Sequence, residues 1–143
     1  MFFLYTMGMK TDRENRHEVQ LYIENARETL EAAKVNLDND FYVSGINRSY
    51  YAAFYAANAL LATIGEARSK HSGVISVFRQ RFIKTGELPV ELSEIYEDLM
   101  ESRQSGDYDL FTSIEPETAR QLLEKARQFV DEVEQWLRRN HWL

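Results

Sequence analysis

One uninterrupted run, residues 46–64, limits what this chain can fold into more than any other stretch. It contains no glycine or proline, and alanine recurs through it, which is typical of an α-helix. The small alanines allow neighbouring helices to approach closely. We therefore predict that this helix is the core of the domain. Steps of three or four residues place one apolar face on it, made of Val43, Ile46, Tyr50, Phe54, Ala57, Leu61 and Ile64.

The same apolar spacing predicts four further helices. Gly65, Gly86 and Gly106 are suited to end helices, whereas Pro89 and Pro116 are suited to a first turn. Helices of this length joined by short connections favour an all-α fold, a five-helix up-and-down antiparallel bundle. The predicted helices span residues 13–37, 41–64, 72–84, 89–106 and 116–136.

The length of 143 residues suits one domain and is too short for two ordinary ones. We predict a loose N-terminal tail over residues 1–12 and a single helical bundle over residues 13–143. Residues 1–9 are apolar but too few to cross a bilayer, so we expect no membrane attachment. The net charge of −6 argues against a general nucleic-acid-coating protein. Cysteine is absent, which excludes disulfides and thiolate metal sites and fits a cytoplasmic location.

The charged residues are unevenly distributed, and two candidate site residues stand out. His71 follows Lys70 at the start of the third helix, where free backbone N–H groups and a cation would suit a phosphate or a carboxylate. Arg103 is the only cation between Glu87 and Glu117, and it falls on the apolar face of its helix. The alternatives are a capping turn with solvated charges for His71 and a solvated surface for the acidic segment.

Two further polar patterns have structural explanations. Asn47, Tyr51 and Asn58 lie along the edge of the central apolar face, where they either form a site or hydrogen-bond to neighbouring helices. Glu14 and His17 have the spacing of a metal-ligand pair, but a di-metal bundle requires a second such pair, which the sequence lacks. We interpret this pair as surface residues and predict neither a metal nor a cofactor.

Three stretches of the sequence resemble the HEPN domain family: residues 47–57 (NRSYYAAFYAA), 70–74 (KHSGV) and 103–108 (RQSGDY). Their order and spacing agree with the family across nearly the whole chain. The resemblance implies a helical bundle that dimerises and is often encoded beside a minimal nucleotidyltransferase. It also implies a toxin–antitoxin pair in many cases, in which the HEPN partner is a metal-independent ribonuclease.

The sequence departs from the ribonuclease members at one position. Those members carry an arginine followed, after four to six residues, by a histidine. Arg103 matches the arginine, but Tyr108, Asp109 and Leu110 stand where the histidine is expected. Histidine exchanges protons near neutral pH, whereas tyrosine does so poorly, so we expect binding without cleavage.

Three functions follow as hypotheses. The first is a dimeric nucleotide- or RNA-binding partner of a minimal nucleotidyltransferase in a toxin–antitoxin-like system, without catalysis. The second is a ribonuclease toxin that uses Arg103 with Tyr108 or His71, and the third is a purely structural interaction protein. The predicted ligand-binding residues, expected to converge on one cleft or on the dimer interface, are Asn47, Tyr51, Lys70, His71, Arg103, Asp107 and Tyr108.

Overall fold

The computed structural model describes residues 10–108 and 114–143, and within these ranges it contains helices and no strand. The all-α fold is therefore confirmed. The predicted tail falls largely on residues 1–9, which lie outside the described residues. The helices are α1 (Asp12–Asp38), α2 (Tyr42–Ala62), α3 (His71–Phe78), α4 (Val90–Tyr108) and α5 (Pro116–Arg139), and a π-helical turn (Arg79–Ile83) continues α3.

The glycine stop signals predict two helix ends correctly and one wrongly. Gly65 and Gly86 adopt positive φ angles of 70° and 79°, a conformation that glycine accepts without strain. After α2, the Glu66 N–H donates to the Leu61 carbonyl at 2.8 Å, which closes the helix end. Gly106 was expected to end the fourth helix, but α4 continues to Tyr108. A glycine inside a helix costs only about 1 kcal/mol, so it permits an end without imposing one.

Helix α2 occupies the centre of the bundle and packs against α1, α3, α4 and α5. Its predicted apolar face is buried from Ile46 to Leu61, but Val43 is 47% exposed, so its assignment to that face is wrong. The reason is that Gly45 forms the close contact with α1. A Cβ atom at Gly45 would lie 2.3 Å from Leu37 Cδ2. Val43, two residues earlier, projects from nearly the opposite side of the helix.

Contacts between side chains show how some of the helices are directed. Arg27 on α1 forms ion pairs with Asp131 and Glu134 on α5, at 2.6 and 3.1 Å. Arg16, near the N-terminal end of α1, donates to the backbone carbonyl of His141, which follows the C-terminal end of α5. Residue numbers therefore rise along α1 as they fall along α5, so these two helices are antiparallel. The up-and-down order of the whole bundle stays a prediction.

No helix in the described ranges combines the length and the apolar character needed to cross a membrane.

Candidate functional site

The ring of His71 is held by three aromatic residues on consecutive turns of α2. It stacks on Phe54 with centroids 4.6 Å apart and on Tyr50 with centroids 5.4 Å apart. Tyr51 meets the same ring edge-on at 5.5 Å. Phe54 lies four positions after Tyr50 and three after Tyr51, which puts its ring on the same side of the helix as each of them. The imidazole is consequently half-buried between α2 and the start of α3.

A buried asparagine fixes the connection that leads to His71. Asn58 is 1% exposed, and its side-chain amide forms hydrogen bonds with both the N–H and the carbonyl of Arg68. The amide nitrogen donates to the Arg68 carbonyl at 2.9 Å, and the amide oxygen accepts from the Arg68 N–H at 2.9 Å. The connection is therefore anchored three residues before His71. Asn58 therefore has a structural role, but its partner is the connection before α3 and not a neighbouring helix.

The His71 ring also takes part in a hydrogen bond. The Tyr50 hydroxyl lies 2.6 Å from His71 Nδ1, which is short for a neutral pair. Tyr96, from α4, brings its own hydroxyl to 3.5 Å from that of Tyr50. Both tyrosines are 0% exposed. Three helices thus contribute one group each to a line of polar atoms in an otherwise apolar core.

Arg103 reaches the same tyrosines from α4. Its guanidinium carbon lies 5.5 Å from the ring centroid of Tyr50 and 5.5 Å from that of Tyr51. Both distances are within the range of a cation–π interaction. Because His71 contacts the same two rings, Arg103 and His71 lie far closer together than two helix diameters, about 20–24 Å.

Burial and charge act together on the titratable groups here. Burial lowers the pKa of His71 below 6.5, and the nearby positive charge of Arg103 lowers it further. Burial raises the pKa of Tyr50 above its usual value, and burial likewise raises the pKa of Tyr96. At neutral pH the site therefore holds a neutral imidazole and two intact phenols beside one permanent cation.

Comparison with known protein families identifies the family to which this chain belongs. The HEPN domain model matches residues 19–136, which is most of the chain. The chain belongs to the HEPN domain family.

Relatives of this HEPN protein match over most of their length. A "UPF0332 protein" of Thermotoga maritima is 39% identical over 121 residues, which cover 85% of this chain and 92% of the relative. Two Methanocaldococcus jannaschii proteins are also similar. "Putative toxin MJ0142" is 38% identical over 122 residues, with 85% of this chain and 83% of the relative covered. "Putative toxin MJ0605" is 34% identical over 127 residues, with 89% and 94% covered.

The residues predicted for the HEPN site do not all lie together. Tyr51, His71 and Arg103 meet as described. Lys70 directly precedes α3 and is exposed. Asn47 instead lines a separate, open cleft of about 500 Å³ between α1 and α2, together with Val35 and Arg48. Periodicity placed Asn47 on the same helix face as Tyr51, one turn before it. It could not show that α1 is the neighbour of this face at Asn47, whereas His71 is its neighbour at Tyr51.

Two predicted residues stand at the end of α4. The backbone of Asp107 and Tyr108 is helical and continues α4 by one turn beyond Arg103. Their side chains lie outside the described part of the structure.

The sequence analysis missed the polar roles of two tyrosines. Tyr50 was assigned only to the apolar face, and Tyr96 was not singled out. The available signal was chemical, because a tyrosine at a core position has a hydroxyl that needs a hydrogen-bond partner.

Within the described residues, no group of three or more potential ligands could hold a metal ion.

The basic region around α3 is partly neutralised by neighbouring carboxylates. Arg79 donates to Ser93 at 2.9 Å and forms an ion pair with Glu97 at 3.3 Å, both on α4. Arg81 forms an ion pair with Glu66 at 3.3 Å. These arginines therefore link α3 and its π-helical turn to the rest of the bundle.

Proposed function

We propose that this HEPN protein binds a phosphate-bearing ligand, a nucleotide or a short RNA, at Arg103 and His71 without cleaving it. In this proposal the protein is the dimeric, cytoplasmic partner of a minimal nucleotidyltransferase in a toxin–antitoxin-like pair. The observation that carries the proposal is the arrangement of Arg103 and His71 on the same two tyrosine rings. The toxin names of two relatives support the biological setting.

Arginine is suited to this task because its planar fork of N–H groups matches phosphate oxygens and its charge is permanent. The rings of Tyr50 and Tyr51 hold the guanidinium in place before a ligand arrives. A preorganised cation loses less conformational entropy on binding than a free surface arginine does. The half-buried setting also weakens screening by water and salt.

A ribonuclease is the second candidate, and the position of His71 favours it. The histidine that the family places after the motif arginine is absent from residues 108–110. His71, from the start of α3, is instead close to Arg103 through their shared contacts. A histidine at that distance could exchange a proton with the 2′-hydroxyl of RNA.

Incubation of the purified protein with labelled RNA in excess chelator tests both candidates, because binding and cleavage are measured in the same reaction. We expect binding that weakens with added salt and no cleavage above background. Arg103→Ala should reduce binding about tenfold or more, since a hydrogen bond to a charged group contributes about 1.5–3 kcal/mol. Arg139→Ala, an exposed arginine at the end of α5, is the matched control and should bind normally.

Other outcomes decide between the candidates. Cleavage well above background that is lost in Arg103→Ala and in His71→Ala would establish the ribonuclease instead. Neither binding nor cleavage by the intact protein would leave the structural interaction protein as the explanation. Co-expression with a nucleotidyltransferase encoded beside this chain tests the partner, and failure to co-purify would contradict that part of the proposal.

A further inference from the structure

A line of three polar groups runs from the core of the bundle to the candidate site. It begins at the Tyr96 hydroxyl, passes through the Tyr50 hydroxyl and ends at Nδ1 of His71. The rings of Phe78 and Phe129 pack around Tyr96, at 6.0 and 5.7 Å between centroids. Within the described part of the chain, the Tyr96 hydroxyl has the Tyr50 oxygen as its hydrogen-bond partner.

The hydrogen atoms in this line can be placed by asking which arrangement gives each one an acceptor. If Nδ1 of His71 donated to Tyr50, the Tyr50 hydrogen would have to point to Tyr96. The Tyr96 hydrogen would then face aromatic rings, and a buried donor without an acceptor is strongly unfavourable. If Tyr96 donates to Tyr50, then Tyr50 donates to Nδ1, and every hydrogen in the line has an acceptor. The second arrangement is therefore preferred.

We infer that Tyr96 and Tyr50 are positioning residues that hold His71 as the neutral tautomer with its hydrogen on Nε2. His71 then offers the ligand beside Arg103 an N–H donor and not a basic nitrogen. The inference rests on the proposed function only for the identity of the ligand, an anion with phosphate oxygens. The tautomer itself follows from the contacts within the protein.

The groups around the ring favour the neutral form as well. Tyr50 and Tyr51 face it from α2, Arg103 acts on it from α4, and Lys70 precedes it on the chain. Burial and the charge of Arg103 lower the pKa of His71 in the same direction. A neutral imidazole with hydrogen on Nε2 is a weak acid and, at that nitrogen, no base.

This tautomer gives a physical reason for the proposed binding without cleavage. Removal of a proton from a 2′-hydroxyl requires an unprotonated nitrogen within reach. The unprotonated nitrogen of His71 is Nδ1, which Tyr50 already occupies at 2.6 Å. Phosphate oxygens, by contrast, are acceptors and suit both Nε2–H and the guanidinium of Arg103.

Nitrogen-15 NMR of the full chain reads the tautomer directly. Long-range proton–nitrogen spectra distinguish a protonated ring nitrogen from an unprotonated one, and His71→Gln identifies the His71 signals by their disappearance. At about pH 8, above the ordinary histidine pKa, we expect Nε2 protonated and Nδ1 unprotonated. Protonation at Nδ1, or an equal mixture of the two tautomers, would overturn the inference.

Three tyrosine variants test the positioning residues. Tyr50→Phe removes the donor to Nδ1, so the fraction with hydrogen on Nδ1 should rise. Tyr96→Phe removes the donor to Tyr50 and should produce a smaller rise. Tyr51→Phe keeps the ring against His71 and changes a hydroxyl outside the line, so the tautomer should stay unchanged. An unchanged tautomer in Tyr50→Phe would contradict the proposed role of Tyr50.

Titration with inorganic phosphate separates this inference from the proposed function. We expect phosphate to shift the His71 Nε2 signal and to bind about two- to tenfold more weakly to Tyr50→Phe, the range for one hydrogen bond. An Nε2–H tautomer without phosphate binding would support the positioning role and contradict the anion site. Phosphate binding to a protein with the Nδ1–H tautomer would support the anion site and overturn the positioning role.

Discussion

At the scale of the residue, His71 is the group whose environment most changes its chemistry. It stands among aromatic rings, accepts a hydrogen bond at Nδ1 and lies near a permanent cation. Each of these disfavours the charged imidazolium. A histidine in such a site stays neutral and keeps one ring nitrogen as a donor and the other as an acceptor. A solvated histidine would change its charge near neutral pH.

The lowered pKa of His71 predicts how stability depends on pH. Between the pKa of the folded protein and the unfolded value of 6.5, the unfolded chain binds a proton that the folded protein does not. The stabilisation that the neutral His71 gives the folded protein is therefore fully present above pH 6.5. It is lost as the pH falls from 6.5 to the pKa of His71 in the folded protein. His71→Gln should make the free energy of unfolding less dependent on pH there.

Urea unfolding at several pH values measures this dependence. His17→Gln, an exposed histidine on α1, is the control and should keep the slope of the unmodified protein. Equal slopes for His71→Gln and the unmodified protein would mean that the pKa of His71 is not lowered on folding.

At the scale of the element, the connection between α2 and α3 decides where His71 lies. The connection contains Gly65, which follows the end of α2, and Arg68. The backbone N–H and carbonyl of Arg68 both form hydrogen bonds with the Asn58 side chain. A single side chain thus replaces the backbone pairing that a loop lacks. The start of α3 is consequently fixed against the rings of α2.

Asn58→Ala should destabilise the protein by about 1–3 kcal/mol, the range for buried polar groups that lose their partners. Denaturant unfolding measures this change, and the His71 signals should broaden or shift because the connection is released. Asn25→Ala, an exposed asparagine within α1, is the matched control and should change stability by no more than about 0.5 kcal/mol. A loss as small as that of the control would show that the connection does not depend on Asn58.

At the scale of the whole molecule, the property that follows from the surface is association. The family resemblance implies a dimer. Exposed aromatic residues would favour one as well, but the structure buries many of the aromatic side chains, including Phe78, Phe129 and Trp136. The apolar surface that remains lies elsewhere. Val35 and Phe41 are 60% and 62% exposed near the junction of α1 and α2. Clustered exposed apolar residues of this kind are typical of protein interfaces.

Light scattering of the purified protein at micromolar concentration should give about twice the chain mass of 16.8 kDa. Val35→Glu should lower that mass if the α1–α2 junction forms the contact, because it places a charge in an apolar interface. Gln121→Glu, an exposed residue on α5, adds the same charge elsewhere and should leave the mass unchanged. A monomer mass at every accessible concentration would contradict the dimer.

The local pattern of residues determined much of this protein without reference to the structure. Spacing of apolar residues identified all five helices of the described chain and the central position of α2. It did so because burial on one side of a helix repeats every three or four residues, a signal contained within each helix. Arg103 was conspicuous as a lone cation on the apolar face of its helix, and His71 as a residue beside Lys70 at the start of a helix.

Only the tertiary structure decided which polar groups meet. Tyr50 and Tyr96 are 46 residues apart, and Tyr50 and His71 are 21 apart. Their contacts depend on how far each helix is rotated and shifted against its neighbours, which no pattern within one helix specifies. The same packing turned Asn47 towards a different cleft and Val43 towards solvent. Sequence periodicity fixes the buried side of a helix, but the partner of each buried hydroxyl is set by the packing of one helix on another.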